Sequence, residues 1–388
     1  MVYDFIVLGA TGMQGRIVTR DLLETGYSVF LCGQEKTGDK SIVLHLLNKY
    51  RKRTNFKYIE ARKISTVIKA IKDSKSKVVV NCMEGDWNYE VFKVCATLGV
   101  NCIDLGSEIP VTKKQFLLNN IMKKKNLVGI TGIGSVPGIG NIMLGYAAEK
   151  FDTIKDINLG FAWDSNIKEF VVPFSIESVL EEFTDRAPIV VDKHFKYKIP
   201  LSNVIKKCHR YIGAEKELLV RHPEQYTYLH YFGKTGLKNI KFYAGFPEHS
   251  FQMILNLIKL GFASKKEINY FGTKIKPIHF LTQMLKNLGA PKGYTEKENL
   301  WVHITGSKKG KKKDIMMECL VPPLRGWECA GCNIDTGFPA SILAQMVKKG
   351  GIVKKGCFSP EVGIPHSVFF NELRKKNLRV YENGKAIN

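Results

Sequence analysis

The sequence predicts an α/β protein: a doubly wound parallel sheet followed by a second, α+β domain. Two observations carry that expectation. Over the first third of the chain, short strand-like runs alternate with segments of helical spacing, which implies βαβ units with right-handed crossovers. Beyond that the pattern changes to longer strand-like segments and a hairpin, which read as antiparallel. At 388 residues the chain exceeds one ordinary core. Its 44% hydrophobic and 24% charged residues are the composition of a soluble globular protein.

The expected strands of the first domain are 5–8, 28–32, 56–60, 78–82, 101–105 and 127–131, with helices such as 87–98 and 112–124 between them. Boundaries are expected at 1–133, 134–330 and 331–388. In the second domain, "IKDINLGFAWD" and "FYAGF" read as strands and 249–260 as a helix. "LWVHIT" and "IMMECLV" flank a lysine-rich turn at 306–314, where exposed lysines also discourage edge-to-edge pairing. The tail "TGFPASILAQMVKKGG" reads as a helix, with Pro339 in the first turn, Lys348 and Lys349 at the C-terminal dipole and Gly350 as C-cap.

Several function classes are disfavoured. No run approaches the roughly 18 apolar residues of a membrane span. The opening "YDFIVLG" lacks a basic n-region, and nine scattered cysteines make no disulfide framework, so the cytoplasm is the expected location. The net charge of +23 is spread over the whole chain rather than gathered in a stripe, so nucleic acid is not an expected partner.

The first strand runs into "GATGMQG". Gly9, Gly12 and Gly15 suit a strand–turn–helix cradle for a dinucleotide pyrophosphate, with Thr11, Met13 and Gln14 between them. This is the Rossmann arrangement. At the end of the second strand, Gly33 stands where an acid would bind an unphosphorylated ribose. Gln34 and Glu35 follow, and Lys36 could reach a 2′-phosphate. The cofactor is therefore NADP or NAD, with NADP favoured. The fourth strand ends in Asn81, Cys82 and Met83, placed beside the cofactor. The fifth ends in "DLGSE", which would bring Asp104, Ser107 and Glu108 to the nicotinamide end. Loop capping is the alternative role for Asp104.

At these residues the chain resembles the saccharopine dehydrogenase family, which includes lysine 6-dehydrogenases and carboxynorspermidine dehydrogenases. "VVVNCMEGDWNYEVFKVCATLGVNCIDLGSE" is similar to the family's fourth and fifth strands. "VGITGIGSVPGIGNIMLGYAAEKF" resembles its entry into the second domain. "VPFSIESVLEEFTDRAPIVVDKHFKYKIP", "HPEQYTYLHYFG" and the ending from "TGFPASILAQM" onward resemble later segments in the same order. The resemblance implies a C-terminal helix that returns to the Rossmann domain, and a second domain that binds substrate and supplies a homodimer surface. It implies hydride transfer at an amine or imine carbon–nitrogen bond of lysine or a lysine- or polyamine-derived substrate. A lysine 6-dehydrogenase or a saccharopine-forming reductase suits the chain length.

Amino acid substrates of that kind carry carboxylates. Arg186, Arg221 and His222 are the candidate cations, with Arg325 behind them. Asp104, Glu108, His222 and Glu224 are the candidate catalytic groups, with His230 comparable to Glu224. Glu84 and Asp86 either face a cationic amine or are solvated. No metal site is expected: Cys329 and Cys332 have C-x-x-C spacing, but no second pair completes a zinc set. The rival reading from another class is a non-enzymatic NADP sensor that binds a protein or nucleic acid.

Overall fold

The computed structural model describes residues 1–34, 41–60, 62–172, 175–285 and 288–388. The chain divides into two compact units, Met1–Phe151 with Asn333–Asn388, and Asp152–Cys332.

The first unit opens with strands and helices in alternation: β1 Phe5–Leu8, α1 Met13–Glu24, β2 Val29–Gly33, α2 Ser41–Lys49, β3 Thr54–Tyr58, α3 Ile64–Ser74, β4 Val78–Asn81 and α4 Asn88–Leu98. It continues with β5 Asn101–Asp104, α5 Ile109–Phe116, α6 Asn119–Lys124, β6 Val128–Ile130 and α7 Ile139–Ala148. The second unit holds β7 Thr153–Ser165, α8 Ile176–Thr184, β8 Ala187–Val191, β9 His194–Lys198, β10 Ile205–His209, β11 Gly213–Leu219 and α9 Glu224–Phe232. Then come β12 Asn239–Phe246, α10 Glu248–Lys259, β13 Ile268–Tyr270, β14 Thr273–Ile275, α11 Pro277–Leu285, β15 Glu296–Lys308 and β16 Lys311–Val321. The chain returns to the first unit with α12 Ile334–Lys348, β17 Gly356–Phe358, α13 His366–Lys375 and a terminal hairpin, β18 Arg379–Glu382 with β19 Lys385–Ala386.

The first sheet runs β17-β6-β5-β4-β1-β2-β3, and every neighbouring pair is parallel. Strand order reverses direction between β1 and β4, the crevice where open α/β sheets bind ligands. β1, β2 and β4 are buried throughout, as a sheet covered by helices on both faces requires. The sequence expectation lacked β17, a three-residue strand that lines up Gly356–Phe358 with Val128–Ile130.

Other boundaries also differ from expectation. The helix expected over 112–124 is two helices. At Leu117 and Leu118 the N–H groups bond three residues back, and Asn119 turns its side chain to accept the Cys357 N–H at 3.2 Å. Residues 134–151 pack within the first compact unit. There Asn141 Nδ2 donates to Glu361 at 2.9 Å, and the Tyr146 ring meets Phe370 edge-on at 5.6 Å. Pro339 stands inside α12 rather than in its first turn, because the helix already starts at Ile334. Gly350 closes that helix with φ +74°, as a left-handed C-cap does. The lysine-rich hairpin is longer than expected. Lys308 pairs with Lys311, so only Lys309 and Gly310 form the turn and the other lysines ride on the strand ends.

The second unit has a mixed sheet whose path is β10-β11-β12-β7-β15-β16, with β8 pairing β12 and β9. Its faces differ in chemistry. Phe161, Phe242 and Phe246 share one face, and Phe183 of α8 packs there against both Phe246 and Phe251 of α10. The opposite face carries Tyr243 and Trp301, stacked at 6.1 Å, among polar side chains.

The return of α12 depends on small residues. A Cβ at Gly337 would stand 2.3 Å from Ile17 Cγ2 of α1, and Ser341 donates to buried Asp21 at 2.7 Å. Lys376, just after α13, also reaches Asp21. Gly337→Ala should therefore push α1 and α12 apart and destabilise by about 1–3 kcal/mol, read as a lower urea midpoint at unchanged m.

Candidate functional site

The carboxyl ends of β1, β2 and β4 converge on the turn before α1. Gly9 has φ +77°, and a Cβ there would lie 2.7 Å from the Cys82 carbonyl oxygen. A Cβ at Gly15 would lie 2.0 Å from the Gly9 carbonyl oxygen, so only glycine lets α1 sit this close to β1. Backbone bonds hold the approach: Ala10 N donates to Cys32 O at 2.8 Å, and Cys82 N to Leu8 O at 2.9 Å. Gly12 is the N-cap of α1 and supplies no side-chain cap, and the first turn has no acidic residue. The helix therefore presents its N-terminal N–H groups and dipole without internal competition, which suits an anion.

The flanking residues take distinct parts. Thr11 is buried beside Gly33, where a Cβ would meet the Thr11 side chain at 2.7 Å. Met13 is 40% exposed. Gln14 donates to Asn333 Oδ1 at 2.7 Å, while its own Oε1 is buried without a hydrogen-bond partner. Asn81 is fully buried and donates to Asn88 Oδ1 at 2.8 Å, and Asn88 donates on to Gly106 O at 2.8 Å. Asn81 therefore shapes the loops after β4 and β5 instead of presenting its amide. Cys82 and Met83 are half-buried, and burial pushes the Cys82 thiol up. Lys36 and Glu35 lie outside the described residues.

Asp104 corrects an expectation. It is fully buried, and its Oδ1 accepts the N–H groups of Gly106 and Gly132, both at 2.9 Å. Gln115 donates to its Oδ2 at 2.5 Å. Burial pushes its pKa up to about 6, against the lowering effect of those donors. The carboxylate is a brace between the loops after β5 and β6, so the capping role is the one the geometry supports and a role in proton exchange with a ligand is not. Glu108 is exposed at the N-cap of α5, and Ser107 is half-buried with its hydroxyl 3.5 Å from Thr112 Oγ1.

The candidates of the second unit also fall differently from expectation. His222 stacks flat on Phe242, ring centroids 3.9 Å apart, so it lies on the apolar face of the sheet. Its Nδ1 is 3.3 Å from Glu224 Oε2, and Glu224 is fully buried with neither oxygen hydrogen-bonded. Glu182 adjoins them, its pKa pushed up to about 7 by burial with His222 opposing. This cluster belongs to the layer between sheet and helices. Arg221 pairs with Asp185 at 3.4 Å and Glu181 at 3.8 Å, a network that Lys265 joins. Arg186, His230 and Arg325 are exposed. Glu84 and Asp86 are exposed and share Arg62, at 3.0 and 3.1 Å. Cys329 is exposed and Cys332 buried, with the Cys332 N–H donating to Glu296 at 3.0 Å. Among the described residues no group of three or more His, Cys, Asp or Glu side chains is disposed to hold a metal, and no helix is long and apolar enough to cross a membrane.

The opposite face of that sheet holds what the sequence reading missed. Strand pairing aligns Tyr243 with Gly160, Gly160 with Trp301, and Trp301 with Glu318. The next row aligns Glu217 with Gly245, Gly245 with Ala162, and Ala162 with Asn299. Lys207 and His209 of β10 join this cluster: His209 Nε2 is 2.9 Å from Glu217 Oε1, and the Lys207 ammonium lies over the Trp301 ring. The alternation in "IKKCH" and "AEKELL" was the available signal, since it sets Lys207 with His209 and Glu215 with Glu217 on single faces.

Comparison with known proteins fits these geometries. A family model described as "Saccharopine dehydrogenase NADP binding domain" matches residues 5–129, and one described as "Saccharopine dehydrogenase C-terminal domain" matches residues 134–378. The chain belongs to the saccharopine dehydrogenase family. Among its relatives is the carboxyaminopropylagmatine dehydrogenase of Synechocystis sp., 23% identical over 78% of this chain and 79% of the relative. Another is the carboxynorspermidine synthase of Vibrio cholerae, 22% identical over 80% of this chain and 78% of the relative. The apo, histidine-tagged saccharopine dehydrogenase (L-Glu forming) of Saccharomyces cerevisiae has the same fold, with TM-score 0.75, 12% identity and full coverage of both chains.

The family's nicotinamide dinucleotide fits the residues present. A Cβ at Gly9 or Gly15 would run into backbone atoms, and the uncapped N-terminus of α1 offers N–H groups to a pyrophosphate. Gly9, Gly12 and Gly15 with the backbone of Thr11, Met13 and Gln14 would hold the pyrophosphate, Gly33 would face the ribose, and Cys82 and Met83 would flank the chain beyond it.

Asp104 also sets a pH dependence. Its folded pKa is raised, so the folded state binds its proton more tightly than the unfolded chain does. That advantage is fully present below the ordinary value of 3.8 and is lost as pH rises through about 6. Asp104→Asn should flatten this part of the stability–pH curve, a span of about 2–3 kcal/mol, in urea titrations between pH 4 and 7.

Proposed function

We propose that this chain is an NADP-dependent oxidoreductase that makes or cleaves a carbon–nitrogen bond in a carboxylated secondary amine, of polyamine rather than lysine origin. The observation that carries the reading is the glycine cradle at the uncapped N-terminus of α1, in a chain that belongs to the saccharopine dehydrogenase family. The polyamine preference is supported by the two relatives, which are named for a carboxylated agmatine and a carboxylated norspermidine. When bound, the nicotinamide supplies or accepts a hydride at its C4.

This chain's residues do the rest. The α1 N-terminus and the glycine turn bind and orient the dinucleotide. NADP is favoured over NAD because the end of β2 carries Gly33, with no acid there to repel a 2′-phosphate. The Asp104 brace fixes the loops after β5 and β6, and so the position of Ser107 and Glu108. Glu108 is the exposed acid of the original candidates in this region and is the proposed group for managing a proton there. His222 and Glu224, enclosed on the apolar face, are assigned to packing.

The test is NADPH oxidation with an amine and a carbonyl acid in pairs: agmatine, spermidine, 1,3-diaminopropane or lysine, each with an amino-acid semialdehyde or a 2-oxo acid. Turnover with a polyamine pair and NADPH is the expected result. NADPH binding without turnover on any pair would sink the enzyme reading and leave the sensor. Gly33→Asp should lower kcat/KM for NADPH by about tenfold or more relative to NADH, because the carboxylate repels a 2′-phosphate, whereas the crowding of its Cβ against Thr11 falls on both cofactors alike.

A further inference from the structure

We infer that the polar face of the second unit's sheet is a binding site for an alkylammonium or guanidinium group, and that Lys207 is a resident ammonium occupying it. Six strands contribute to this face, β10, β11, β12, β7, β15 and β16. Glu217 is fully buried, and both its oxygens lack a hydrogen-bond partner. His209 Nε2 lies at ion-pair distance from it but out of hydrogen-bond alignment, and is itself unpartnered. Asn299 Oδ1 and Trp301 Nε1 are also buried and unpartnered. Glu318 stands beyond Trp301 in the same row, accepting from Asn299 at 3.1 Å and from Arg210 at 3.3 Å.

Buried polar atoms are nearly always hydrogen-bonded, so several orphans gathered on one face call for an explanation. Their chemistry is specific. Two carboxylates and an amide oxygen accept hydrogen bonds, and the paired rings of Trp301 and Tyr243 offer a π face to a cation. The floor is cut low by Gly160, Ala162 and Gly245, which carry no more than a methyl group. Lys207 shows what such a place attracts: its ammonium lies over Trp301, with Glu217 and Glu318 near it. Burial lowers its pKa to about 8, and the two glutamates only partly oppose this. A half-buried ammonium whose charged form burial disfavours is a poor permanent partner for Glu217. An amine or guanidinium ligand can displace it and supply the donors the orphans lack.

The nature of the ligand rests on the C–N bond reading above, whose amine and guanidinium substrates carry the cation that this face fits. The binding test does not need turnover. Calorimetric titration of the full chain with agmatine and with spermidine should give saturable binding, and 1,4-butanediol, of similar reach but uncharged, should give none. Lys207→Met should tighten agmatine binding several-fold, because the resident cation is gone and the acids remain. Glu217→Gln, an isosteric change, should weaken it by about tenfold or more. Circular dichroism on both variants separates this from misfolding, and Glu318→Gln gives a second acid should Glu217→Gln fold poorly.

A network that serves structure alone predicts the opposite sign: Lys207→Met weakens or leaves binding unchanged and lowers stability. That result, or equal binding of the diol, overturns the inference. The two proposals fail separately. Agmatine binding with this mutational pattern but no NADPH oxidation with any pair defeats the enzyme reading alone. Polyamine turnover whose amine KM is indifferent to both substitutions defeats the binding site alone.

Discussion

The first unit depends on the contact between Gly15 and the carbonyl of Gly9. With a Cβ at Gly15 that distance would be 2.0 Å, well inside any tolerable contact, so the helix could not begin where it does. Because it does begin there, the free N–H groups of α1 point across the ends of β1 and β4, where strand order reverses. Gly9 has the same dependence on the other side, against Cys82. The binding turn is thus wedged between its own helix and the neighbouring strand. The absence of an acidic first turn and of a capping side chain then has a purpose, since either would occupy the donors an anion needs.

Asp104 does for the other end of the crevice what the glycines do for the first. Its oxygens gather Gly106, Gly132 and Gln115. The carbonyl of Gly106 receives Asn88, which receives Asn81. The loops after β4, β5 and β6 therefore share one buried hydrogen-bonded chain, and a change at any member would be felt by the others. This is why a carboxylate at a strand end can look catalytic in sequence and act as a brace. Position on the chain places it at the crevice, but the direction of its lone pairs is settled by backbone N–H groups many residues away.

The parts legible in the sequence were those encoded locally. Six strands, the glycine turn, Gly350 as a cap and the lysine hairpin all follow from periodicity or single-residue preference. What escaped was set by tertiary contact. β17 is three residues long and exists because β6 offers an edge, and α5 separates from α6 where Asn119 serves Cys357. His222 and Glu224 carry the right chemistry, but which side of a sheet a residue following a strand will occupy depends on the helices laid over it. Phe242 and the layer around it settled that question against them. Lys207, His209 and Glu217 were passed over because the alternation in "IKKCH" and "AEKELL" was not read as strand, and so not as one face of a sheet.

The charge of the chain shows the same separation by depth. Its formal +23 comes from lysines scattered along the sequence, and among the described residues none of the buried side chains is a lysine or an arginine. Ten acidic side chains are buried, Asp21, Asp104, Glu217, Glu224 and Glu318 among them. Lysine can bury its stem and keep its ammonium in water, whereas a short carboxyl group enclosed by the fold must find donors or lose its charge. Asp104 has donors from backbone and side chain, and Asp21 has Ser341 and Lys376. Glu217 has only an ill-aligned imidazole, with the ammonium of Lys207 nearby. The exterior is thereby more positive than the composition implies, which favours the approach of an anionic dinucleotide, while a buried acid with so few donors favours a cation.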